Sequence, residues 1–200
     1  MVRATTPTLW LSQVPEADAL LASSPLALLI GMVLDQQIPL EKAFTSPYVL
    51  SQRLGCDLDA ADLAGRDPEE LATIFATPPA LHRFPGAMSA RVQALCQAVV
   101  SDYAGDAAAV WRTATDGPEL LRRIKALPGF GEQKAKIFVA LLGKQFGVTP
   151  QGWQTSAGAY GETGSLLSVA DIRDAASLQQ VRAYKKQAKA AAAAARSATT

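Results

Sequence analysis

The residues of this chain best suited to chemistry lie in the run LPGFGEQKAK, Leu127 to Lys136. Gly129 and Gly131 permit a positive φ or the close approach of another backbone, while Leu127 and Phe130 can pin such a turn to a core. Glu132, Gln133 and Lys134 then open a helix whose first N–H groups lack intrahelical partners, so its polar mouth faces outwards. Free N–H groups at a glycine turn attract anions, and Lys134, Lys136 and Lys144 add positive charge for phosphate. Metal and thiol chemistry is short of ligands. One histidine, His82, and two distant cysteines, Cys56 and Cys96, cannot supply a structural zinc site, a four-Cys iron–sulfur cluster or a disulfide framework.

The elements that must position these groups read as helices. Leu26, Leu29, Ile30, Val33 and Leu34 recur on one helical face, Ser24 and Pro25 form a start signal, and Pro39 enforces a stop, which predicts a helix over about 25–37. Further helices are predicted near 39–54, 59–64, 68–76, 87–103, 105–114, 118–126, 132–143 and from 169 or 175 to 186. No period-2 alternation long enough for a sheet is present, so the fold class is all-α. On the helix before the turn, Leu120, Leu121, Ile124 and Leu127 make an apolar stripe, which completes a helical hairpin at 118–143. Residues 147–165 are crowded with Gly, Ser and Thr and read as a long loop carrying Trp153 and Tyr160. These aromatics could stack on a base or anchor the loop to the core. Residues 1–186 read as one domain and 187–200 as a solvated basic Lys/Ala tail with transient helix.

The 200-residue chain is 49% hydrophobic and 18% charged, which excludes a disordered chain or a multidomain machine. Its net charge of +1 is a cancellation: residues 1–80 hold 4 Lys/Arg against 10 Asp/Glu, net −6, and residues 81–200 hold 15 against 8, net +7. A basic half is compatible with a polyanionic partner and equally with a solvated surface.

The hairpin at roughly 118–146 resembles the helix-hairpin-helix motif, in the LPGxG form used by the HhH-GPD superfamily of base excision repair DNA glycosylases. A second resemblance lies upstream in LLIGMVLDQQIPLEKAF, where that superfamily carries an apolar helix ending in a polar pair, a small turn and a Lys-Ala helix start. The resemblance implies a two-lobed helical fold with a cleft between the lobes and double-stranded DNA as partner. It also implies phosphate contacts from Leu127, Gly129, Phe130, Gly131, Gln133, Lys134, Lys136 and Lys144, and a wedge or base-pocket role for Gln36, Gln37, Trp153 and Tyr160. No iron–sulfur cluster or organic cofactor is expected, with room only for a monovalent cation at the hairpin.

The chain departs from the superfamily at its catalytic positions. The expected Asp falls on Pro150 or Gln151, and Gly143–Gly161 contains no Asp or Glu. The lysine of the bifunctional members falls on Gln133; Lys134 is about 100° further round the helix and should point elsewhere, so no lyase activity is expected. Asp35 is the substitute acid that would lie near the cleft, or a helix-end acid that caps a neighbouring turn. Glu41 and Asp171 read as helix-start residues, and His82 as a surface or lobe-joint residue. Arg91 sits on an amphipathic helix facing phosphate or solvent. The expected function is therefore a monofunctional DNA glycosylase with a noncanonical acid, or a catalytically inactive binder of damaged or distorted DNA. The longest apolar run, Leu26–Leu34, is about half of what a membrane span needs, and Met1–Trp10 lacks a secretion signal's pattern. A monomer in the cytoplasm, at the nucleoid, is expected.

Overall fold

The computed structural model describes residues 7–197. Eleven α-helices follow in chain order: α1 Pro15–Ser23, α2 Pro25–Leu34, α3 Leu40–Leu54, α4 Ala60–Gly65, α5 Pro68–Ala76, α6 Pro85–Tyr103, α7 Ala109–Arg112, α8 Gly117–Ala126, α9 Glu132–Phe146, α10 Trp153–Ala157 and α11 Ala175–Ser197. Short 3₁₀ turns occupy Gly158–Gly161 and Val169–Asp171. Among the described residues there is no strand, only an isolated bridge between Asp116 and Gln151, so the chain is all-α. No single helix among them is long and apolar enough to cross a membrane.

Helices α1 to α6 pack chiefly on one another, as do α7 to α11, and one continuous hydrophobic cluster runs through both groups. Helix α2 is its axis: Leu26 to Leu34 are buried on every side, the pattern of a helix surrounded by others rather than one with a wet face. Phe44 lies against Gly31, where a Cβ would come within 2.9 Å of its ring, so that glycine sets the approach of α3 to α2. In the other group α9 is central, with Phe138 making edge-to-face contacts with Phe130 and Trp111 at 5.5 and 5.9 Å between ring centroids.

The helices formed differ from the predicted ones in several places, among them 105–114, which is helical only over Ala109–Arg112, and 132–143, which runs on to Phe146. Helix α2 stops at Leu34, not Gln37, because Gln36 N–H turns back onto Leu34 O at 2.7 Å and Gln37 adopts a left-handed φ of +56°. Helix α1, whose start has no side-chain cap, was not predicted. The segment 147–165 is not a plain loop: Gly152, at φ +78°, starts α10, and Trp153 drops onto Gly143, where a Cβ would sit 2.3 Å from its ring. Finally α11 does not end near 186 but continues to Ser197, since an Ala/Lys run propagates a helix at almost no cost per residue. Residues 198–200 of the predicted tail lie outside the described residues.

Candidate functional site

The α8–α9 hairpin forms as the spacing implied, with Asp116 capping α8 and Leu127 to Gly131 as the turn. Leu127 and Phe130 are buried and anchor the turn to the core. The two glycines differ. Gly129 takes φ +89° and lies against Val33 and the Arg91 side chain, where an added Cβ would come within 3.1 Å of each. Gly131 has an ordinary φ of −78° and open space where a Cβ would sit, so the fold itself does not demand glycine there. It is also the N-cap of α9 without a capping side chain, whereas Ser24, Asp59, Asp67 and Asp116 cap α2, α4, α5 and α8. The first bond of α9 runs from Ala135 N–H to Gly131 O at 2.9 Å, leaving the amides of Glu132, Gln133 and Lys134 ahead of it.

The three lysines expected to line a phosphate site separate. Lys144 is almost buried, with Nζ 2.6 Å from Asp171 Oδ1 and 2.8 Å from Ser165 Oγ. It clamps the Val169–Asp171 turn onto α9 and does not face an external phosphate. Lys136 and Lys125 both pair with Glu132, whose carboxyl they hold below the usual range, so the rim of the hairpin carries one net positive charge. Lys134 turns inward, in a different direction from Gln133, and does not reach outward for a phosphate: Nζ donates to Val33 O at 3.1 Å, joining α9 to the end of α2. It lies one and two turns before the buried Phe138 and Leu141, the side of α9 that faces the core. Gln133, at the superfamily's lysine position, donates to Tyr160 Oη at 2.8 Å instead.

Asp35 follows α2 directly, so the Lys134 bond brings it to the same junction. Its carboxyl has a raised pKa, chiefly from burial, against which Lys185 and then Lys134 pull it down. Burial likewise lowers Lys134 to about 8, with Asp35 opposing that shift. The two act on each other without a direct ion pair within 4 Å. Asp35 therefore stands as an acid with no side-chain hydrogen bond, at the edge of a cavity of about 280 Å³ between the start of α3 and α11.

The glutamine pair divides its work. Gln36 is committed inward: Nε2 donates to Val33 O at 2.9 Å and Oε1 accepts from Arg91 Nη1 at 3.2 Å. Gln37 is exposed, held out by its left-handed backbone. His82 is buried, which overturns the surface alternative of its reading, and it bonds across to the Gln36 turn. Its Nδ1 accepts from Phe84 N–H at 3.0 Å, so Nε2 carries the hydrogen that donates to Gln36 O at 3.0 Å. That hydrogen bond fixes the 82–84 turn beside Gln37, and the turn presents Phe84, 42% exposed, with the Arg83 guanidinium 5.2 Å above its ring. Trp153 and Tyr160 pack against the core and are anchors in this arrangement. Sequence reasoning missed Arg83, Phe84 and Lys185; Arg91 was placed on its helix but not at this junction. Arg91 had a legible signal, since it shares a helix face with Met88 and Leu95, whereas the other three depend on contacts distant in sequence.

Pro150 and Gln151, where the resemblance would put an acid, serve here as backbone acceptors: Gln151 O accepts from Gly117 N–H at 2.8 Å and Pro150 O from Trp153 N–H at 3.1 Å. No group of three or more His, Cys, Asp or Glu among the described residues is arranged to hold a metal ion. Comparison of the chain with known protein families, with curated proteins and with solved structures finds no match.

Proposed function

We propose that the protein is a base excision repair protein of the HhH-GPD kind that binds double-stranded DNA and acts as a monofunctional DNA glycosylase. The observation that carries this reading is the contact between two segments about a hundred residues apart, each resembling that superfamily. The hairpin meets the last turn of α2, just ahead of Asp35–Gln37, through Lys134 and Gly129 against Val33. In this reading a backbone phosphate approaches Gly131 and takes hydrogen bonds from the unpaired amides at the start of α9. Gln37 and Phe84 enter the base stack, Phe84 by stacking and Gln37 through its carboxamide. Asp35 lies against the sugar of the displaced nucleotide, where its carboxylate stabilises positive charge at C1′ as the glycosidic bond breaks and water adds. The base departs with the bonding electron pair, and the water proton passes to Asp35 or solvent.

Duplexes carrying uracil, hypoxanthine, an oxidised purine or an alkylated purine, incubated with the protein and then treated with alkali, test this reading. Strand cleavage at one lesion is the expected result, and intact strands across the whole panel overturn catalysis. A second reading, a binder of damaged or distorted DNA without catalysis, draws on the missing acid at Pro150–Gln151. It predicts salt-dependent duplex binding with no base release.

A further inference from the structure

We propose that the outer length of α11 is an arm that lies along the backbone of duplex DNA, with its cations on a row of phosphates. The arm adds a second contact surface to the DNA-binding reading on which it rests. Helix α11 is rooted by the buried Leu178 and Val181, and every side chain described beyond Val181 is exposed. The helix nevertheless runs on to Ser197, about 24 Å further at ~1.5 Å per residue. No Asp or Glu follows Asp174, whereas Arg182, Lys185, Lys186, Lys189 and Arg196 do. At about 100° per residue those five positions fall within an arc of about 100°, a single face of the helix. The face starts at the site already described, since Arg182 and Lys185 line one cavity with Asp35, and it continues outward from there.

Folding alone does not ask for this face. Like charges three and four residues apart, as at Arg182, Lys185, Lys186 and Lys189, oppose an isolated helix. The favourable field of the carbonyls at a helix end is confined to the last turn, so it accounts for Arg196 but not for Lys186 or Lys189. Arg182 is paired with Glu41 and Lys185 acts on Asp35, so the arm proper is Lys186, Lys189 and Arg196. Composition selects the partner. Lys and Ala are depleted at protein–protein interfaces, and beyond Tyr184 no large apolar residue is present to anchor a protein or enter a bilayer. A single strand is held by stacking its bases on aromatic side chains, and beyond Tyr184 there is none. A duplex backbone asks only for cations, and it carries the phosphates of both strands.

Fluorescence anisotropy with a labelled undamaged duplex, titrated over a range of salt, tests the arm. Lys186→Gln, Lys189→Gln and Arg196→Gln together should weaken binding at low salt by about five-fold or more and lower the log–log salt slope by about 2. A second variant keeps the net charge but turns it away from that face: Lys186→Ala, Lys189→Ala and Arg196→Ala joined to Ala188→Lys, Ala191→Lys and Ala195→Lys. It should bind as weakly as the first, and both should keep the wild-type Tm because the changes lie beyond the core. Wild-type affinity and slope in the first variant, wild-type affinity in the second, or binding of a single strand as tight as that of the duplex, each overturn the proposal. Gly131→Asp reads the hairpin separately. Loss of binding in Gly131→Asp but not in the first arm variant overturns the arm and leaves the DNA-binding reading standing. The reverse pattern supports the arm, and the hairpin reading fails alone. No duplex binding by the wild type overturns both.

Discussion

Asp35 and Lys134 are each held in a setting that disfavours their charge, and neither has the direct partner that would remove the penalty. A carboxyl whose folded pKa is raised holds its proton more tightly when folded, so its contribution to stability is present at low pH and lost as pH rises through the folded value. At neutral pH the ionised Asp35 therefore costs stability, and Asp35→Asn should raise Tm while lowering base release by about 100-fold or more, read by differential scanning fluorimetry and single-turnover cleavage. Fold and function then pull one residue in opposite directions. His82 behaves differently. Burial lowers its pKa below 6.5, so the unfolded chain takes up the proton first; stability falls as pH drops below 6.5 and levels off under the folded value. Denaturant midpoints at pH 7 and 5 should show that loss, and His82→Gln should flatten it. Asp35 was legible as an acid beside the glutamine pair, but its chemical setting was not, because it depends on Lys134 and Lys185, distant in sequence.

Two glycines in one turn make opposite predictions for the hairpin. At Gly129 a Cβ meets Val33 and Arg91 and the φ is left-handed, so Gly129→Ala should destabilise by about 1–3 kcal/mol, measured by urea unfolding. At Gly131 the backbone already has the extended geometry of an N-cap, so Gly131→Asp should keep or raise stability by up to about 1 kcal/mol. The same carboxylate would occupy the amides that a phosphate needs. Gly143→Ala should also destabilise, because the Trp153 ring fills the space of the added methyl group. Elements marked by strong punctuation were legible in the sequence: Ser24-Pro25, Asp67-Pro68 and Asp116 each open a helix where expected. The short α10 was hidden because its reason is the notch at Gly143, a contact that glycine-rich composition does not reveal. The end of α2 was misjudged because the turn at Asp35–Gln37 is decided by its neighbours: Gln36 carries bonds to Arg91 and His82.

Over the whole molecule, the opposed charges of the two halves stay largely apart: among the described residues one ion pair, Arg182 with Glu41, joins them, and the basic half pairs mostly within itself. Lys144 is consumed by Asp171, Lys125 and Lys136 share Glu132, and Arg182 pairs with Glu41. Near the hairpin these contacts, with Lys134 held on Val33 O, leave few free cations, so in the proposed reading affinity for a polyanion comes from the hairpin amides with a few basic side chains such as Arg83. A shallow salt dependence follows, with a log–log slope equivalent to about 2–4 phosphates rather than the ~10 of heavily basic binders. The most direct test of the account is the affinity of duplex DNA for the wild type and for Gly131→Asp at low salt, with thermal unfolding of both. The account predicts binding that falls at least about ten-fold in Gly131→Asp while Tm is kept or raised. Equal affinity in the two proteins, or no duplex binding by the wild type, would contradict it.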